Sequence, residues 1–202
     1  MSGARLTNET HIARPWRIHE LAGDFRLEDV WALPTPGGPD DFPLLVAGFA
    51  AGDAGMSPSR LARALWATRW KLGELLGWDE EYEGAVATKR QTIRDRLPAD
   101  LAAGPRGPEF ATLPFIPLYL LDDEFAAEVA NRTVHGIMHL GWVPDGGGGY
   151  RGEMAVYVKP NGLLGNAYMA AIKPFRYTVV YPPMLRQIAR TWEAGKAELA
   201  AR

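Results

Sequence analysis

A chain of 202 residues, 47% hydrophobic and 23% charged, has the size and composition of one globular domain built on a single core. Its 22 basic and 24 acidic residues leave a formal net charge of −2, so nothing in the charge balance favours a polyanion, and nucleic acid is excluded as an expected partner. With no cysteine there is no disulfide, no thiolate nucleophile and no Cys-based zinc or iron–sulfur site, as suits a reducing cytoplasm.

The opening "MSGARLTNETHIARPW" has no apolar period and no signal-peptide core; residues 1–15 are expected to be a loose arm ahead of one domain over 16–202. "FRLEDVWALPT" reads as an extended segment ending at Pro34, followed by a loop, "PTPGGPDDFP". Asp41 is placed to cap a short helix through "FPLLVAGFAA", with Phe42, Leu45, Val46 and Phe49 on one side and Gly52 as its stop. That stretch is the longest apolar run and far shorter than the roughly 20 residues a bilayer needs, so stable membrane insertion is not expected and the location is predicted to be cytoplasmic. "SPSRLARALWATRWKLGELLGW" is the clearest helix, from Ser57 and Pro58 to Gly77, with Leu61, Leu65, Leu72 and Leu76 as its inner stripe. "TKRQTIRDRLP" carries a capping-box pattern, Thr88 with Gln91, and a Gly/Pro-rich loop follows.

From there the pattern changes to strands. "FIPLYLL" and "EFAAEVAN" pair across Asp122 and Asp123, and "RTVHGIMHLGWV" and "YRGEMAVYVKP" pair across the flexible tip "PDGGGG". In the tail, Leu164, Tyr168, Ile172, Phe175, Val179, Leu185, Ile188 and Trp192 recur at helical spacing, interrupted by Pro174 and Pro182-Pro183. Helical segments broken at the prolines are expected, with a strand over 176–181 as the alternative, and an amphipathic helix from Pro183 to about Leu199. The tail is also basic, with seven Lys and Arg against Glu193 and Glu198 from Lys159 onward. The expected class is α+β: an early strand, two helices, a curved antiparallel meander and a long terminal helix, with a hollow between sheet and helix.

"DFRLEDVWALPT", "TRWKLGELLGWD", "NRTVHGIMHLGW" and "VKPNGLLGNAYMAAIKPFRYTVVYPPMLRQIA" resemble an uncharacterised bacterial domain-of-unknown-function family, over roughly residues 15–193. Relatives of that family occur alone or behind a short-chain-dehydrogenase-like nucleotide-binding domain. The family is similar to the helix-grip superfamily of START-like and polyketide-cyclase-like (SRPBCC) proteins, which hold apolar ligands between a curved sheet and the terminal helix. The resemblance implies ligand binding; no redox role follows, because the glycine fingerprint of the nucleotide-binding domain is missing here. No cofactor is expected.

The candidate chemistry centres on His135 and His139. On a helix their spacing would put them about 6 Å apart, within reach of one metal ion. On a strand they share a face but lie roughly 13 Å apart, too far for one ion, and the surrounding residues favour the strand, so no metal is expected. Alternation puts Thr133, His135, Ile137 and His139 on one face with Arg151, Glu153, Ala155 and Tyr157. Val134, Met138, Leu140 and Trp142 fall on the other with Met154, Val156 and Val158. If the semi-polar face lines the hollow, His135 or His139 with Glu153 and Tyr157 are the candidates for moving protons; otherwise it is a solvated outer face. Trp31, Tyr168, Phe175 and Trp192, with Ile137, His135, His139 and Tyr157, are the candidate ligand contacts, and Arg176 and Lys173 candidates for an anionic head group. Three readings follow: a binder of an apolar or amphipathic small molecule; a cyclase, dehydratase or isomerase using a cavity histidine and Glu153; or an interaction module for a dehydrogenase-like partner. No reaction and no oligomeric state is assigned.

Overall fold

Strand alternation and tight turns build the centre of the molecule. The computed structural model describes residues 3–52, 92–130, 134–160, 169 and 173–201. The helix expected over 57–77, the Thr88–Gln91 pattern, Thr133 and Tyr168 lie outside the described residues. Six antiparallel strands form one curved sheet in the order β1-β2-β6-β5-β4-β3. They are β1 (Ala4–Leu6), β2 (Arg26–Ala32), β3 (Ile116–Leu120), β4 (Glu124–Ala130), β5 (Val134–Pro144) and β6 (Tyr150–Pro160). β3 to β6 are a meander whose last strand returns beside β2. The hairpin between β5 and β6 closes over the glycine run, where Gly146 and Gly148 take positive φ and the Asp145 carboxylate accepts the N–H groups of Gly147 and Gly149.

One sheet face is apolar because every second residue of its strands is. Trp31, Phe125, Ala127, Met138, Leu140, Trp142 and Met154 form one core with helix α3 (Phe42–Ala50) and the terminal helix, called α5 below (Tyr181–Ala200). α3 buries Phe42, Leu45, Val46 and Phe49 as its spacing requires, and α5 buries Tyr181, Leu185, Ile188 and Trp192. Gly152 makes room for this layer: a Cβ there would stand 2.8 Å from Leu45 Cδ2. Asp41 sits at the cap position of α3, yet its carboxylate turns back to accept the N–H of Gly38 and pairs with Lys196 of α5.

The opposite face is covered too, by segments without a strong periodic signal. The stretch expected to be a loose arm supplies β1 and helix α1 (Asn8–Ile12), and helix α2 (Ile18–Leu21) follows. Trp16, Ile18 and Leu21 pack there with Ile93 and with Leu101 of helix α4 (Ala99–Ala103), over Val30, Ala126, Ile137, Val143, Ala155 and Tyr157. Gly141 admits this layer, since a Cβ on it would fall 2.5 Å from Trp16 Cζ2. Prolines do not break the last helix, although Pro182 and Pro183 stand in its first turn with helical winding on both sides. Residues Arg176–Val180 ahead of it form a π-helical turn, not the alternative strand.

Candidate functional site

β4 carries Glu124 and Glu128 at the same four-residue spacing as His139 and His135 on β5, and the antiparallel register sets them diagonally opposite. His139 Nε2 donates to Glu124 Oε1 at 3.0 Å, and His135 Nε2 to Glu128 Oε2 at 2.8 Å. Each carboxylate also takes the first N–H groups of a helical turn, which have no partner within the turn. Glu124 accepts Arg17 N and Ile18 N, both at 2.9 Å, where α2 begins; Glu128 accepts Ile93 N at 3.0 Å and Arg94 N at 3.4 Å, ahead of a 3-10 turn at Arg94–Arg96. Tyr119 of β3 adds a hydroxyl donor to Glu124 at 2.6 Å. Two buried glutamates thereby fasten two covering segments to the sheet.

The third attachment is His11 of α1. Its Nδ1 lies 2.7 Å from Glu153 Oε1 and its Nε2 2.9 Å from the Tyr157 hydroxyl, each within hydrogen-bond reach. The His11 and His139 rings meet edge to face with centroids 5.0 Å apart, and Trp16 lies 5.2 Å from His139. His11, His139 and Glu153 have no exposed surface. Burial depresses the His139 pKa, against the opposing pull of Glu124, and so holds the ring neutral. For Glu153 and Glu124 burial pushes the pKa up, but hydrogen bonds and charge from His11 and Arg14 in the one case, and hydrogen bonds from His139, Tyr119 and Arg17 N–H in the other, outweigh it. Both carboxyls sit below the usual range and stay ionised. Burial and the neighbouring carboxylates push the Tyr157 phenol up.

A second polar cluster occupies the helix side of the sheet. β2 bulges at Glu28, so that Leu27 pairs with Tyr157 on one face while Asp29 turns to the other beside Trp31. Fully buried Asp29 accepts hydrogen bonds from Arg176, Tyr177 and, at 2.7 Å, Tyr181. Arg176 and Tyr177 stand in the π-helical turn, and Tyr181 opens the helix that follows it. Tyr181 packs against Trp31 with centroids 4.6 Å apart and the rings tilted by 37°.

Where α3 and the second half of α5 diverge there is a half-open cleft of about 320 Å³. Leu44, Leu45, Phe49, Ile188 and Trp192 form its walls, and Thr35, Thr191 and Glu198 bring polar groups to it. The hollow expected between sheet and terminal helix is instead filled by the side chains of the first core.

The candidate residues are therefore divided. His135, Ile137, His139, Glu153 and Tyr157 share the outer face, which lines no hollow and lies beneath the covering segments, with His135 keeping 14% of its side chain exposed. Trp31 is at the Asp29 cluster, Trp192 at the cleft, and Phe175 is 48% exposed. Arg176 binds Asp29 and lies 3.8 Å from Glu28. Sequence reasoning missed His11, Glu124 and Glu128; the matched four-residue spacings of β4 and β5 are the one signal that points to two of them. Among the described residues no group of three or more His, Asp or Glu is arranged to hold a metal ion. No described helix is long and apolar enough to cross a membrane.

Comparison with known proteins gives one family. No curated protein and no solved structure matches this chain. A family model covers residues 21–183, from the end of α2 to the first turn of α5, and so takes in every strand of the sheet but β1. By that match the chain belongs to the family described as Protein of unknown function (DUF2867).

Proposed function

We propose that this protein is a helix-grip binder of an apolar or amphipathic small molecule, held along its terminal helix. The observation that carries the reading is the cleft between α3 and α5, whose apolar walls and few polar groups have the make-up of a small-molecule site and whose volume of about 320 Å³ suits a compact ligand. The topology supports it: an early strand pairs with the last strand of a meander, and a long C-terminal helix lies across one sheet face, as in START-like proteins. Proton-transfer enzymology has less support, because His139 and Glu153 are sealed on the face opposite the cleft and His135 is tied to Glu128.

Gly48 provides the test. A Cβ there would sit 3.5 Å from Thr191 Cγ2, an ordinary contact, so Gly48→Leu extends into the cleft without displacing backbone. Anilinonaphthalenesulfonate, an amphipathic fluorescent probe, is expected to bind the folded protein saturably, and Gly48→Leu to weaken it by about tenfold or more with the denaturation midpoint retained. Absence of saturable binding, or equal binding by the variant, would refute the cleft as a ligand site.

A further inference from the structure

We propose that the N-terminal segment, residues 3–22, is a strap that acid releases from the outer face of the sheet. Its attachment is polar at the points that matter. α1 is a single short helix whose Ile12 is 59% exposed, while the adjacent His11 is fully buried and bonded to Glu153 and Tyr157. Six residues beyond His11, the strap's N–H groups at Arg17 and Ile18 are held by Glu124. Asn8 Nδ2 adds a bond to the Leu27 carbonyl at 2.9 Å.

The strap is also what removes His139 from water, through the His11 and Trp16 rings. The titratable groups around His139 come from every element packed there. Glu124 of β4 bonds its ring directly, and Tyr119 of β3 bonds Glu124. Glu153 and Tyr157 stand on β6, His11 and Arg14 come from the strap, and His19 lies on α2 with its ring 5.4 Å from that of His11. Arg151 faces Glu153, and Asp123 stands beside Glu124. Arg14 Nε and Glu153 Oε2 face each other at 3.4 Å, but docking leaves three polar atoms without hydrogen-bond partners at this seam, His139 Nδ1, Trp16 Nε1 and His19 Nε2. Each offsets part of what the apolar contacts of Trp16, Ile18 and Leu21 contribute.

The direction of the response follows from linkage. Docked His139 is held neutral, whereas the released, hydrated ring takes a proton below its ordinary value of 6.5, so acidification favours release. Glu124 and Glu153, ionised when docked, protonate on release below 4.5 and add to the same trend. One proton bound on release weakens docking by up to about tenfold per pH unit. Release leaves Glu124, His139, Glu153 and Tyr157 as an open acid–base face on the sheet.

Amide hydrogen exchange on the full chain tests the idea, with α5 as internal reference. Between about pH 7 and about pH 5, protection of β1, α1 and α2, corrected for intrinsic exchange, is expected to fall about tenfold or more relative to α5. Equal behaviour of strap and α5, or no change in either, would overturn it. His139→Gln keeps an N–H donor for Glu124 but cannot gain a proton, and is expected to reduce the strap response above about pH 5 to the part carried by His19, whose pKa docking also lowers. Should that variant not fold, imidazole NMR of the wild type decides: protonation of His139 should coincide with loss of strap protection, and protonation beneath a protected strap would contradict the proposal.

Discussion

Glu124 shows how one side chain can set the position of several elements. Its two oxygens take N–H groups of α2, a ring N–H of β5 and a hydroxyl of β3, so a carboxylate that would be costly to bury alone is fully partnered. Asp29 plays the same part on the other face, where it gathers Arg176, Tyr177 and Tyr181. Asp29→Ala would leave a guanidinium that is 11% exposed with its nearest remaining carboxylate, that of Glu28, at 3.8 Å. The expected loss is about 3–5 kcal/mol in urea unfolding, the range for breaking a buried pair on one side, and a loss below about 1 kcal/mol would show that the cluster is hydrated and not structural. Gly141 carries a steric version of the same dependence. Gly141→Ala puts a methyl 2.5 Å from the buried Trp16 ring, which must move, and is expected to cost about 1–3 kcal/mol; in a strand free of such contact alanine would be neutral or better.

Elements were more legible in the sequence than their contacts. β2, α3, the two hairpins and the terminal helix follow from period, turn residues and caps, because those signals are local. The assignment of His135, Ile137 and His139 to one face and Met138, Leu140 and Trp142 to the other also follows from alternation alone. What covers the polar face did not, since α1 and α2 are too short for a period and His11 finds Glu153 across 142 positions of chain. The proline signal near 182 was real but ambiguous: proline in a first turn and proline ending a segment look alike until the neighbouring packing is known. α5 is then anchored by its stripe, not by its caps. Ile188, 2% exposed at mid-helix, is expected to cost about 2–5 kcal/mol when replaced by Ala, read from the shift in denaturation midpoint. A value under about 1 kcal/mol would mean that the helix rests only lightly on the sheet.

For the molecule as a whole, each sheet face carries a hydrophobic core, and one of them also places ionisable groups where water does not reach. That placement makes stability depend on pH with a sign that can be worked out group by group. Glu124, Glu153, Asp24 and Asp41 have folded pKa values below their ordinary ones, so the unfolded chain binds more protons in acid and stability is lost as pH falls through the carboxylate range. His139, also lowered, begins the loss earlier, as pH drops below 6.5. Asp123, raised by burial and by Glu124, opposes the carboxylates in part. Tyr119, Tyr157 and Tyr181 are raised; their contribution is fully present below about 10 and is lost as the pH climbs above it. The urea midpoint should therefore form a plateau from near neutrality to about pH 10, with a shallow acid arm below about 6.5 that steepens below about 4.5. In His139→Gln the shallow arm should shrink to the part carried by His19, whose pKa burial also lowers, while the steep one remains with the carboxylates. A midpoint unchanged between about pH 7 and pH 5 in the wild type would mean that the docked and unfolded chains bind protons alike there, and that the sealed histidine is matched by its partners instead of strained against them.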